Sequence, residues 1–319
     1  MTSYILRRLI QSIPVIFGIT VLSFAIMKLA PGDPLANFID PSISMADLDA
    51  SRDALGLNDP WYVQYYRWLQ EVLRGNLGFT YSGNHSIRGL IAQRLPNTVI
   101  LTLSAFVLSF VVGVPVGVIA AVKKNTRVDY GLTIFSLVGV AIPSFFFGLL
   151  MIYLFGIILG VFPSGGMINV RAGYTGLANI IDILHHLVLP ALVLSLSNIA
   201  TVSRFTRSNM VDVLKEDYIR TARAKGLKHK AIIYKHAFRN ALIPVVTIFG
   251  LSIPFLFSGA YITESIFNWP GMGSLGIQAI QDREYGIVMA LNLITATLVL
   301  MGNLTADILY AVVDPRIRH

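Results

Sequence analysis

The sequence predicts an all-α, polytopic integral membrane protein with six transmembrane helices and both termini on the cytoplasmic side. Three observations predict it. Charged residues make up only 13% of the 319 residues while 55% are hydrophobic, whereas an average soluble domain carries roughly 25% charge. The charges are missing in blocks: runs without Asp, Glu, Lys or Arg lie at 9–27, 95–122, 130–170, 187–203, 241–263 and 285–306. About 20 apolar residues are needed to cross roughly 30 Å of hydrocarbon. The remaining charges are sorted by sign. Of the 25 Lys and Arg, 17 fall in the segments that a six-span path places on one side, ten of them within 204–239. That asymmetry marks the cytoplasmic face. Apolar dominance excludes disorder, and the absence of cysteine excludes disulfides, thiolate metal sites and cysteine nucleophiles.

In chain order, Arg7-Arg8 followed by apolar residues resembles the start of a signal peptide. The apolar run is longer than the usual 7–15 residues, so a retained first span at 9–30 is expected. An external segment follows at 31–94. Within it, Asp59-Pro60-Trp61 and then Tyr62, Tyr65, Tyr66, Trp68 and Leu69 predict a helix with an aromatic face. Such a helix rests on a headgroup layer or docks an external partner. A five-span core at 95–306 comes next. Its 41-residue run at 130–170 holds either two tight spans or one long span kinked at Pro143, and the charge asymmetry favours one. The run at 187–203 is short and would be extended by snorkelling of His185, His186 or Arg204. A tail at 307–319 completes a single membrane domain over 1–319.

Several chemistries lack their residues. No phosphate-binding loop of the G-x-x-x-x-G-K-[ST] type occurs, and no H-E-x-x-H. The apolar runs lack the internal carboxylates that ion-coupled carriers use as relays, so no enzyme and no ion-driven carrier is expected. Asn198 and Thr201 share a helix face, as do Asn292 and Thr295; they are hydrogen-bonding glue between helices or the lining of a polar path. Gly113–Gly117 and Gly156–Gly160 have the small-x-x-x-small spacing of closely packed helices.

The most informative stretch runs from Arg204 to Pro244. Met210, Leu214, Tyr218 and Ala222 recur every four residues and predict one helical face. Gly226 after Arg223 and Lys225 has the pattern of a helix C-terminus. A second helix is expected with Leu227, Ala231, Tyr234, Phe238 and Ala241 on one face. The segment is too polar to cross a membrane and too regular for a loose loop. A lipid-surface helix and a docking helix for a cytoplasmic partner both fit, and nucleic-acid binding does not.

Asp217-Tyr218-Ile219-Arg220-Thr221-Ala222-Arg223-Ala224-Lys225-Gly226-Leu227 resembles the coupling-helix motif of ABC importer permeases, specifically the dipeptide/oligopeptide/nickel class. Further resemblance lies in Ala30-Pro31-Gly32-Asp33-Pro34, in Arg239-Asn240-Ala241-Leu242-Ile243-Pro244, in 264–273 and in Asp314-Pro315-Arg316. It implies a type I importer permease in a prokaryotic cell membrane. It also implies a homologous second permease subunit, two ATP-binding subunits that hold ATP and Mg²⁺, an external substrate-binding protein, and a di- or oligopeptide cargo, with nickel or glutathione as alternatives. The same resemblance makes Asp217, Tyr218, Arg220, Thr221, Ala222, Arg223, Ala224, Lys225, Gly226 and Leu227 the ATPase-docking residues.

Overall fold

The computed structural model describes residues 2–29, 45–54, 56–81, 85–252, 256 and 260–313. The elements are helices: α1 (Thr2–Leu29), α2 (Met45–Ala54), α3 (Trp61–Leu73), α4 (Ile87–Val122), α5 (Arg127–Ala141) and α6 (Ser144–Met151), which runs into a π-helical turn at Ile152–Ile158. Then come α7 (Gly176–Val213), α8 (Asp217–Ala224), α9 (His229–Ala231) with a π-helical turn at Ile232–Ala237, α10 (Phe238–Ser252), α11 (Tyr261–Ile266), α12 (Met272–Gln281) and α13 (Tyr285–Val313).

Among the described residues, four helices are long and apolar enough to span a membrane, at Ile10–Leu29, Ile87–Val122, Gly176–Val213 and Tyr285–Ala306. A fifth arises if α5 and α6 with its π turn count as one broken span. The six expected spans are therefore seen as four or five. The run at 130–170 bends by 104° instead of kinking gently. Pro143 disfavours helical geometry at the residue before it, and Ile142 accordingly sits at ψ 124°. The expected span at 241–263 is met only in part, since α10 ends at Ser252 and α11 begins at Tyr261; 253–255 and 257–259 lie outside the described residues, as do 30–44 and 314–319. The short run at 187–203 is the middle of a 38-residue helix.

The centre of the fold is the contact between α4 and α7. Glycine makes it possible at two places one turn apart. A Cβ at Gly117 would lie 2.5 Å from the Ser203 carbonyl oxygen and 2.6 Å from Thr206 Cβ, and one at Gly113 would lie 2.9 Å from Val202 Cβ. The small-residue pair thus packs helices within the chain. The Gly156–Gly160 spacing does not repeat this: Gly160 takes φ +59° in the turn after the π segment and faces open space.

Apolar clusters sit at both ends of α4. At one end Val118, Ala121, Met210, Ile219, Ala222, Ile232, Ile233, Ala237 and Ala241 are buried together. At the other, Ile87 and Ile91 of α4 pack on Met272 and Leu275 of α12 and on Ile287 and Leu291 of α13. The aromatic helix predicted after Pro60 is α3. It joins α1 through the Tyr65 and Thr20 hydroxyls, 2.9 Å apart, and through edge contacts of Tyr65 with Phe17 and Phe24. Trp61, Tyr62 and Tyr66 remain exposed.

Candidate functional site

The helix–glycine–helix projection is present. After α7 ends at Val213, a short turn leads through Glu216 at ψ 148° into α8. Asp217 occupies the first turn, where the partial positive charge of the helix end favours it, and Arg223 the last. The helix stops in a Schellman motif: the Leu227 N–H reaches the Ala222 carbonyl at 3.4 Å and the Gly226 N–H reaches Arg223 at 3.0 Å. Gly226 takes φ +72°, the left-handed geometry this cap requires. A Cβ there would meet nothing within 4 Å, so conformation alone demands glycine. We expect Gly226→Asn to leave the amide protection of α8 near wild type, because Asn tolerates this region. Gly226→Val should open the cap by about 1–2 kcal/mol, or roughly tenfold faster exchange of the α8 amides. Equal exchange in both variants would exclude the cap.

The buried face differs from the one read off the spacing. Ile219 and Ala222 point into the chain's own core, while Asp217, Tyr218, Arg220, Thr221, Arg223, Ala224, Lys225, Gly226 and Leu227 are exposed. Ala222 is only 6% exposed, so it anchors α8 to the body and offers no surface to a partner. Tyr218 leaves the Met210–Leu214 face because the turn at 214–216 interrupts the helix; its hydroxyl instead accepts a hydrogen bond from Asn240 Nδ2 at 2.9 Å. Arg220 pairs with Asp217 at 3.1 Å on the surface. Leu227, in the cap before the next helix, is exposed; beyond it Tyr234 is exposed and Ile232, Ile233, Ala237 and Ala241 are buried. The π-helical turn causes the shift at Tyr234. It adds a residue to one turn and rotates the phase that an α-helical spacing assumes.

The membrane-embedded polar residues divide. Asn292 donates to Ser23 Oγ of α1 at 3.2 Å, and Thr295 hydrogen-bonds Tyr261. Both join helices. Asn198 and Thr201 are exposed on α7, where Ser197, Thr201, Arg204 and Ser208 also lie exposed at a spacing of four, three and four. That is one polar stripe on a spanning helix.

Sequence reasoning missed three buried polar groups. Asp129 of α5, 2% exposed at its side chain, receives both Nε and Nη2 of Arg207 from α7, at 2.6 and 2.7 Å, and the Asn125 N–H at 2.9 Å. Asp182 accepts the Asn169 N–H at 2.6 Å and lies 3.4 Å from His186 Nδ1. Glu264 of α11 is fully buried and accepts from Thr98 Oγ1 of α4 at 2.7 Å and from the Ser274 N–H at the start of α12 at 2.9 Å. Trp269 beside it donates to the Asn97 carbonyl at 2.9 Å. The sequence signal for Glu264 was the pair Gly271 and Gly273, where a side chain would collide with the carboxylate.

These features define a polytopic helical membrane protein with a polar helix–glycine–helix projection. The solved structure titled as inward-facing conformations of the MetNI methionine ABC transporter superposes at TM-score 0.55 over 71% of this chain and 97% of that one, at 17% identity, a likeness of fold alone. Residues 113–319 match the family described as binding-protein-dependent transport system inner membrane component, and residues 1–102 match its N-terminal companion. The chain belongs to that family: it is a multi-pass inner-membrane component of a binding-protein-dependent transport system. It is 48% identical to the oligopeptide transport system permease protein AppB of Bacillus subtilis over all of both chains. It is 40% identical to the di/tripeptide permease DppB of Pseudomonas aeruginosa and 38% identical to the dipeptide permease DppB of Escherichia coli, each over 100% of this chain and 99% of the relative.

Proposed function

We propose that this chain carries di- or oligopeptides across the membrane as one of two homologous permease subunits, and that 217–227 is where a cytoplasmic ATPase subunit docks. The reading includes six spans with both termini cytoplasmic, two ATP-binding subunits that hold the ATP and Mg²⁺, and an external substrate-binding protein. The peptide assignment is supported by the peptide-transport names of relatives matched over nearly their whole length. The docking assignment is carried by one observation: α8 is fixed from below by Ile219 and Ala222 while Tyr218, Arg220, Arg223, Ala224, Lys225 and Leu227 stand outward. A helix seated on its own core transmits a push that a loose loop would absorb. ATP-driven closure of the ATPase pair would then select between two permease conformations through differential binding. The stripe of Ser197, Asn198, Thr201, Arg204 and Ser208 is assigned to the polar path, because polar groups facing lipid are costly.

Ala222→Asp is unsuitable as a docking test, since it would bury a charge. The exposed substitution Arg220→Glu with Arg223→Glu reverses the polar contacts and leaves the core alone. Peptide uptake should fall roughly tenfold or more at unchanged membrane level. Unchanged uptake would refute the docking assignment. The natural absence of cysteine gives the path a direct readout. Cysteines at 197, 201 and 208 should react with a membrane-impermeant thiol reagent, with peptide protecting them, and unreactive positions would place the stripe against protein or lipid.

A further inference from the structure

We propose that the chain holds the phosphate headgroup of an anionic phospholipid in the pocket between the end of α1, α3 and the start of α13. The cavity measures about 260 Å³, and its walls include Phe24 and Lys28 of α1, Arg67, Trp68 and Glu71 of α3, and Tyr81.

The charges in this wall do not balance internally. Arg67 is bonded to Asp59. Glu71 is held by Arg74 at 3.0 Å and by Asn76 at 2.8 Å. Lys28 has no carboxylate within ion-pair distance among the described residues; its ammonium lies 5.9 Å from the centre of the Phe24 ring. The Trp68 indole N–H is buried without an acceptor, an arrangement that costs about 1–3 kcal/mol when left unmet. Burial, assisted by the nearby Glu284 carboxylate, pushes the Tyr81 phenol up to about 12, so it stays protonated and able to donate. One cation and two donors thus line a cavity whose lining carboxylate, Glu71, is already held by Arg74 and Asn76. A phosphate monoanion supplies both the charge and the acceptor oxygens.

The position of the pocket selects a lipid as the source of that phosphate. Lys28 stands where the apolar run of α1 ends, and Leu22, Ile26 and Leu29 around it are more than half exposed. On the other wall α3 exposes Trp61, Tyr62 and Tyr66, the side chains that sit at the headgroup level. A headgroup in the pocket would leave its acyl chains along the exposed face of α1. The ordinary behaviour of a lysine at a helix end is to snorkel toward water, which requires no saturable site, and the test separates the two.

The full chain, purified with the subunits it assembles with, is titrated with phosphatidylglycerol and followed by native mass spectrometry. Parallel arms use a phosphate-free galactosyl diacylglycerol and inorganic phosphate. We expect saturable retention of one phosphatidylglycerol per chain, weakened about tenfold by Lys28→Gln and severalfold by Trp68→Phe, and preserved by Lys28→Arg. If Lys28→Gln does not assemble, the Lys28→Arg and Trp68→Phe pair carries the comparison. Equal retention of the galactolipid, or no effect of Lys28→Gln and Trp68→Phe, overturns the site. Occupation by inorganic phosphate with no preference for the lipid overturns the lipid assignment. None of these readouts depends on transport.

Discussion

Replacing Arg207 with Met should destabilise the protein by about 3–5 kcal/mol, the cost of leaving a buried charge without its partner. The Asp129 side chain is 2% exposed, and Arg207 supplies two of the three hydrogen bonds to its carboxylate. With Arg207 gone, the carboxylate keeps the Asn125 N–H but loses its ion-pair partner while its side chain stays out of solvent. The reverse substitution is milder. Arg207 is 31% exposed at its side chain, so in Asp129→Asn the guanidinium can turn to water, and a loss of about 1 kcal/mol is expected. Joint replacement by Asp129→Leu and Arg207→Met should recover most of the stability, because neither charge is then stranded. Thermal melting of the purified protein followed by tryptophan fluorescence ranks the three variants. A single Arg207→Met that melts with the wild type would mean that the pair adds nothing to the α5–α7 contact.

Gly117→Val should be comparably damaging for a steric reason. The first atom of any side chain at 117 would fall on the Ser203 carbonyl and on Thr206 Cβ, with the Arg207 backbone nitrogen at 3.1 Å. Two of those three neighbours are backbone and cannot rotate away, so α4 and α7 must separate. Overpacking of this kind costs roughly 1–3 kcal/mol where side chains can yield, and more where they cannot. Separation would also disturb Arg207, one turn from the contact, and with it the ion pair. Gly131→Ala is the matched control: nothing lies within 4 Å of its Cβ position, and alanine is the better helix former by about 1 kcal/mol. It should melt at or above the wild-type temperature, while Gly117→Val should lose tens of per cent of its assembled yield or more. Equal behaviour would show that the helices can part without cost.

What the sequence made legible follows from where water was the deciding solvent. Charge-free runs located α1, α4, α7 and α13, because lipid tolerates no other composition, and the Gly113–Gly117 spacing located the tightest helix contact. The run at 187–203 understated α7 because His186 and Arg204 bound it, with Asp182 and Arg207 just beyond. In the fold Asp182, His186 and Arg207 meet Asn169, each other and Asp129. A charge is legible from sequence, but its partner 78 positions away is not. The helix–glycine–helix segment was legible with the correct punctuation at Gly226. Its inward face was misassigned twice, at Tyr218 by an unforeseen turn and at Tyr234 by a π-helical turn, since both alter the angular step on which a spacing argument rests. Glu264 stood in the sequence only as part of the 264–273 resemblance, because burial is set by what folds over it, here Thr98 of α4.

The lengths of α4 and α7 have a mechanical consequence. At 36 and 38 residues they measure roughly 54 and 57 Å at 1.5 Å per residue, nearly twice the hydrocarbon thickness of about 30 Å. Bound side by side at Gly113 and Gly117, they act as one lever whose short end carries α8. Ile219 and Ala222 share a core with Val118 and Ala121, so a displacement of α8 is not lost in a slack joint. A swing of about 10° at one end of a rod this long carries the other end roughly 10 Å. That is about the spacing at which layers of extended chain pack face to face, so under the proposed transport role a modest tilt of this helix pair is matched in scale to the passage of a single extended peptide.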